Sequence, residues 1–295
     1  MMIKVPEPFR QMPRWWRDQL GREWLDNLPA LVSEQCRRWS LTVEGEPLYG
    51  SNALVIPVCL RDNNPAVLRL SPPGDDVTDE AAALRWWAGR GTVRLFDVDL
   101  ASRAMLLERL GSRSLQSEPL FTAIPVIAAL VRELAVPAPP GTTSTAAIAA
   151  DHVVTAEHDW LALDRPTPRA QLHTAVRLAG QLARTSTSGL AVDGDLHSEQ
   201  VLQAGRAPWL VVDPVLLCGD PEYDFGRVLW SRLDELATDT DITTIFDVFV
   251  REAGVPAERA RSWVVVRSMS YLLWGLRRGL TWDPPKCRRL LNLFC

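Results

Sequence analysis

The stretch that most constrains this chain is Gly194-Asp195-Leu196-His197-Ser198-Glu199-Gln200-Val201-Leu202, followed by Trp209-Leu210-Val211-Val212-Asp213-Pro214. Asp195 and Asp213 each stand at the edge of a short apolar segment, with the amide side chain of Gln200 between them. The sequence on both sides is helical in period. This segment therefore interrupts a helical region with a loop and a short hairpin, turned at Ala204-Gly205-Arg206.

The chain has 295 residues, enough for one large domain or two lobes with a real core. Its 47% hydrophobic and 23% charged residues are an ordinary globular balance. A net charge of −4 gives no electrostatic reason for a nucleic-acid partner. No run approaches roughly eighteen consecutive apolar residues, so no membrane partner is expected. Residues 1–35 lack an apolar h-region and a cleavage site. Trp15, Trp16 and Trp24 come with mixed charges, which favours a helix packed on the body of the protein over one lying on a membrane. The five cysteines are scattered, with no C-x-x-C pair. They argue against a disulfide framework or a zinc site and fit a reducing cytoplasm.

Residues 8–36 read as one or two helices, with Leu20, Trp24, Leu28 and Leu31 at helical spacing. Strands are then predicted at 39–43, 53–59, 66–70, 93–98 and 104–109, with a helix over 80–87. Arg61-Asp62-Asn63-Asn64-Pro65 is a hairpin signal. After a short link near Glu108 to Ser112, helices are expected at 120–134, 160–164, 168–186, 224–236, 242–253 and 256–275, with a proline-rich loop over 135–143. A five-stranded antiparallel sheet with one inserted helix thus precedes a helical remainder. The boundary separates 1–111 from 112–295.

Asp195 and Gln200 stand in the D-x-x-x-x-N spacing of a kinase catalytic loop, with Gln in place of Asn. Phosphoryl transfer needs one carboxylate at the acceptor hydroxyl, and an amide and a second carboxylate to hold Mg²⁺ against ATP phosphates. With these residues in view, the chain resembles the aminoglycoside phosphotransferase superfamily, and within it the streptomycin 6-kinase and hydroxyurea-kinase branch. The resemblance rests on the order and spacing of several segments: 28–32, 52–58, 65–70, 80–87, 93–97, 106–110, 136–140, the Asp195 loop, and Gly219-Asp220-Pro221-Glu222-Tyr223-Asp224. It implies an α+β, bilobal protein-kinase-like fold, with a small antiparallel-sheet N-lobe that binds nucleotide and a helical C-lobe that carries the catalytic loop and acceptor site. ATP is then expected in the cleft between lobes.

The resemblance also implies roles. Asp195 is the catalytic base, and Asp213 and Gln200 hold Mg²⁺, although the extra methylene of Gln moves the amide by about 1.5 Å, one carbon–carbon bond. Arg69 stands where the family places a phosphate-contacting Lys, with Glu80 as its helix partner. Glu108 to Leu110 form the hinge, whose backbone bonds adenine, and Gly50-Ser51-Asn52 covers the phosphates. Asp193 stands where kinase loops carry His; a carboxylate there donates no hydrogen bond unless protonated, and raises the pKa of Asp195 if the two side chains approach. His197 reads as a structural residue bonding the loop backbone, Asp220 as a turn residue and Asp224 as a helix cap. His152, His158 and His173 read as surface residues, and Trp263 and Trp274 as core.

The expected function is an ATP- and Mg²⁺-dependent phosphotransferase for a hydroxyl of a small molecule, such as streptomycin. Antibiotic resistance is implied by the resemblance alone. The basic Arg277-Arg278 pair disfavours a guanidinium-bearing acceptor if it lies near the site, whereas cations solvated at a helix C-terminus are favourable without any such role, so the acceptor stays open. A second reading is a catalytically impaired kinase-like binding protein, because Arg69, Asp193 and Gln200 all depart from the family pattern. A protein kinase is disfavoured by the short segment between Asp213 and Asp224.

Overall fold

The computed structural model describes residues 3–50, 52–75, 77–186 and 189–295. The chain forms two compact units, 1–111 and 112–295.

In the first unit, α1 (Glu7–Arg10) and a 3₁₀ turn (Pro13–Trp16) lead into the long α2 (Gln19–Trp39). Asp18 starts α2 by accepting the Gly21 N–H at 2.8 Å, which satisfies a donor that the first helical turn leaves orphaned. Trp24, Leu25, Leu28 and Val32 share one buried helix face. Ser40 closes the helix in the left-handed region (φ 55°), so β1 (Thr42–Val43) begins later than the sequence pattern predicts.

The sheet continues with β2 (Leu48–Tyr49), β3 (Leu54–Cys59), β4 (Pro65–Leu70), β5 (Leu95–Asp99) and β6 (Ala104–Glu108). The order is β1-β3-β4-β6-β5, with β2 added on β3, all antiparallel. Five strands are predicted and the sheet has six among the described residues. The extra one, β2, has only two residues and so carries no alternation to read. Strand period 2 sends Ala66, Leu68 and Leu70 into the core with Leu54, Ile56, Val58 and the α2 stripe, and puts Arg69 on the opposite face of β4. Between β4 and β5 lies α3 (Thr78–Trp87), which carries Glu80.

The second unit holds α4 (Leu120–Leu134), α5 (Thr145–Ala162), α6 (Arg169–Thr185), β7 (Leu190–Asp193), β8 (Val201–Gln203), β9 (Trp209–Val211), β10 (Leu216–Gly219), α7 (Phe225–Ser231), α8 (Asp239–Ala253), α9 (Ala257–Arg277) and α10 (Asp283–Phe294). The expected hairpin is β8–β9, with Val201 opposite Val211. A second ribbon, β7–β10, pairs Asp193 with Leu216 and Leu190 with Gly219. It packs on α5, α6 and α9 through Val192, Leu217, Ala149, Ala179, Leu182, Trp263 and Val266. Gly219 is required there: its φ is 151°, and a Cβ would stand 2.0 Å from Thr145 Oγ1.

Helix α5 is far longer than the expected 160–164, and α10 was not expected. The 224–236 helix divides into α7 and a 3₁₀ turn at Leu233–Glu235. Trp263 is fully buried, but Trp274 is 44% exposed and is no core residue. His152 is buried, contrary to its reading as a surface residue, while His158 and His173 are exposed. All five cysteines are free. Among the described residues no helix is long and apolar enough to cross a membrane.

Candidate active site

The segment from Asp193 to Gln200 is pinned along its backbone. Gly194 donates its N–H to the Val215 carbonyl at 2.7 Å. Asp193 Oδ1 accepts the N–H groups of Asp195 (3.1 Å) and Val215 (3.0 Å). The Leu196 N–H reaches Asp224 Oδ2 at 3.1 Å, and Arg267 donates to the Gly194 carbonyl at 3.3 Å. Asp224 therefore does not cap α7 with its side chain, as its position suggested; it holds the loop, and Arg267 holds it in turn at 3.1 Å. Asp193 spends its Oδ1 on the Asp195 and Val215 N–H groups, while the charge of Asp195 is close enough to disfavour ionisation of its carboxyl. It ties the loop to the strand that follows Asp213. Asp220 is also more than a turn residue: it accepts from Ser186 Oγ (2.9 Å), Arg259 (2.5 Å) and Trp263 Nε1 (2.8 Å).

On this fixed frame the Asp195 side chain is 40% exposed. Its Oδ1 accepts from Arg227 Nε at 2.8 Å, and its Oδ2 from Gln200 Nε2 at a long 3.4 Å. His197 Nδ1 lies 2.7 Å from the Asp195 carbonyl, in the backbone-bonding role expected of it. Arg227, Arg267 and the supporting function of Asp224 are absent from the sequence reading. Each acts across dozens of residues, and no local spacing announces it.

The amide nitrogen of Gln200 faces a carboxylate, so its oxygen faces away. That Oε1 is buried and has no hydrogen-bond partner among the described residues. The Val212 N–H bonds the Gln200 carbonyl at 2.8 Å, which brings the chain at Asp213 alongside Gln200. Asp213 itself has φ 53°, a conformation that costs energy for a residue with a side chain. A buried, unspent amide oxygen close to a carboxylate suits a hard cation. Among the described residues no group of three or more His, Cys, Asp or Glu gathers. Mg²⁺ takes one or two carboxylates and completes its shell with water and phosphate.

In the first unit, Arg69 is buried in the central strand β4 and forms an ion pair with Glu80 of α3, the pairing expected from the sequence. The Glu108 N–H bonds the Arg94 carbonyl at 2.9 Å, and its side chain accepts the Arg94 N–H at 3.1 Å. Leu110, by contrast, has no hydrogen-bond partner for its backbone among the described residues. Asn52 donates to Asp75 at 2.8 Å. Ser51, expected over the phosphates, lies outside the described residues.

Burial, reinforced by the nearby Asp224, pushes the Asp193 carboxyl well above the usual carboxylate range, against the pull of its two N–H donors. Its Oδ2 is buried without a hydrogen-bond partner among the described residues, as a protonated oxygen with no acceptor would be. Burial also raises Asp224 to about 7, although Arg267 draws it down. Both groups bind protons more readily folded than unfolded, so they penalise the fold progressively as pH rises; for Asp224 the window runs from about 4 to about 7. His152 has the opposite sign, because burial lowers it to about 4 and its contribution improves as pH rises toward 6.5. Asp193→Asn isolates the carboxylate effect, since Asn keeps an acceptor for both N–H groups and cannot ionise. Urea midpoints of variant and wild type are expected to agree at about pH 4 and below, where Asp193 is protonated folded and unfolded alike, with the variant the more stable at pH 8. Equal losses at both pH values would show that Asp193 is not held protonated.

A protein-family model described as aminoglycoside/hydroxyurea antibiotic resistance kinase matches residues 38–279. The chain is 35% identical over 285 residues to a streptomycin 6-kinase of Streptomyces glaucescens, covering 94% of this chain and 92% of that protein. It is 31% identical to a hydroxyurea phosphotransferase of Kitasatospora aureofaciens, covering 94% and 82%. In structure it is similar to the choline kinase LicA from Streptococcus pneumoniae, with a TM-score of 0.64 at 14% identity over 91% of this chain and 99% of that one. A small antiparallel sheet followed by a helical unit is therefore the protein-kinase-like fold, and the chain belongs to the aminoglycoside/hydroxyurea antibiotic resistance kinase family of small-molecule phosphotransferases.

Proposed function

We propose that this protein transfers the γ-phosphoryl group of ATP, with Mg²⁺, to a hydroxyl of a small molecule, and that an aminoglycoside such as streptomycin is the acceptor class to test first. The observation that carries this reading is the pairing of a half-exposed Asp195 on a rigid loop with the buried, unpartnered amide oxygen of Gln200. Asp195 orients the acceptor hydroxyl and takes its proton. Gln200 and Asp213 would hold Mg²⁺, which neutralises phosphate charge as it develops. The first unit, 1–111, binds the nucleotide: Arg69, braced by Glu80, contacts the phosphates, and backbone groups of Glu108 to Leu110, with Leu110 unspent, bond adenine. The second unit, 112–295, carries the catalytic loop and the acceptor site.

The Arg277-Arg278 pair is no obstacle to a cationic acceptor. Arg277 forms an ion pair with Asp159, and Arg278 lies over the Trp274 ring at 4.8 Å, so both charges are engaged within the second unit. Among the findings no observation favours the impaired-binding reading.

The test is nucleotide binding by calorimetry, with and without Mg²⁺, on wild type and Asp213→Asn. Binding that requires both Mg²⁺ and Asp213 is expected. The protein is then incubated with streptomycin and ATP, and phosphorylated product is measured. Absence of binding even at high ATP removes the phosphotransfer reading.

A further inference from the structure

We propose that Arg227 is a catalytic residue of this reaction, its guanidinium contacting the phosphoryl group in transit beside Asp195. The proposal rests on the phosphotransfer reading above. Between Asp195 and Gln200 the loop has no lysine or arginine. The cation arrives from α7 instead: Arg227 Nε meets Asp195 Oδ1 at 2.8 Å, and Nη2 lies 3.3 Å from His197 Nε2.

A guanidinium only donates, so His197 Nε2 accepts, and the ring proton sits on Nδ1, facing the Asp195 carbonyl at 2.7 Å. One arginine thereby orients the carboxylate directly and the Asp195 backbone through His197. Burial and then the Arg227 charge both lower the pKa of His197, in keeping with a neutral ring in this role. The Trp230 and Tyr271 rings each lie 6.0 Å from the guanidinium carbon and limit where it can go. Nη1 has no hydrogen-bond partner among the described residues, although the side chain is only 17% exposed. An open guanidinium donor beside a half-exposed carboxylate can meet an anionic group, a use that an ion pair serving structure alone does not have.

The reaction supplies that use. The acceptor oxygen forms a bond to the γ-phosphorus while the bond from phosphorus to the β,γ-bridging oxygen breaks. The bonding pair leaves with ADP, and the hydroxyl proton passes to Asp195. An acceptor oxygen hydrogen-bonded to Asp195 sits about 2.7 Å from the carboxylate, and its phosphorus about 3–3.5 Å further in a near-attack geometry. A guanidinium on the same carboxylate is within reach of a non-bridging oxygen. Charge in the loose transition state spreads over those oxygens, where a positioned arginine is most effective.

The test compares wild type with Arg227→Ala and Arg227→Lys, using Mg²⁺ and ATP with either streptomycin or water as acceptor. Arg227→Ala is expected to lower kcat by about 10²-fold or more, with KM for ATP little changed. Arg227→Lys should recover part of the loss, and millimolar guanidinium should partly rescue Arg227→Ala. The rate ratio between ATP and its γ-thio analogue should shrink in Arg227→Ala, because the contact that sulfur perturbs is gone. A kcat within a few-fold of wild type overturns the proposal. So does a lowered kcat with an unchanged thio ratio and no rescue, which would make Arg227 a positioning residue only. Wild type that turns over ATP with neither acceptor overturns the phosphotransfer reading, and this inference with it.

Discussion

Asp195→Asn is expected to slow phosphoryl transfer by about 10²–10⁴-fold, the span general-base catalysis commonly contributes. Asn has the size of Asp and keeps an oxygen for Arg227 Nε, and the loop bonds through the Gly194, Asp195 and Leu196 backbone do not involve this side chain. The substitution removes the capacity to take the hydroxyl proton, the charge facing Arg227 and the long 3.4 Å acceptor for Gln200 Nε2. With the loop bonds kept, nucleotide affinity and melting temperature should stay close to wild type, while ADP release in the presence of acceptor collapses. A variant that transfers phosphate at the wild-type rate would show that the proton leaves by another route, and Asp195 would lose its assigned role.

Asp224→Ala should produce the largest loss of stability. Asp224 is 5% and Arg267 16% exposed at the side chain, and they meet at 3.1 Å. Arg267 also donates to Tyr223 Oη at 2.9 Å and to the Gly194 carbonyl at 3.3 Å. Removing the carboxylate strands a buried guanidinium and the Leu196 N–H together. Breaking a buried pair in this way costs about 3–5 kcal/mol. For a unit of this size that is a fall in Tm of roughly 6–20 °C. The measurement belongs at pH 8, above the value of about 7 that Asp224 reaches, so that the pair is charged. Arg267→Met in the Asp224→Ala background should restore part of the loss, because it removes the stranded charge. A wild-type melting curve for Asp224→Ala alone would mean that the pair contributes nothing to the frame of the loop.

Legibility in the sequence followed the range of the forces involved. Helix α4 was read with its observed bounds, Leu120–Leu134, because its apolar residues recur at helical spacing and a proline-rich stretch follows it. The β8–β9 hairpin is legible from two short apolar stretches, Val201-Leu202 and Trp209-Leu210-Val211, around a Gly-containing turn. Helix α5 is largely absent from the sequence pattern: six of its eighteen residues are alanine, and Val153, Val154 and Leu161 are exposed, which leaves a faint hydrophobic period. The β7–β10 ribbon joins segments more than twenty residues apart, so neither four-residue strand declares its partner. His152 looks like any polar helix residue until α5 is packed.

The amino-acid sequence by itself determined the order of the fold, a short-stranded sheet before a helical remainder, and by spacing singled out Asp195, Gln200 and Asp213 as candidates, with Arg69 and Glu80 added by the family resemblance. Periodicity and motif spacing are local properties, written within a few turns of chain. Only the tertiary structure decided what surrounds those residues. It placed Arg227 against the Asp195 carboxylate, turned Asp193 onto two backbone N–H groups, and set Asp224 and Arg267 under the loop as a buried pair. Those contacts join residues up to 43 positions apart. Their strength comes from removal from water, and burial exists only once the helices have packed.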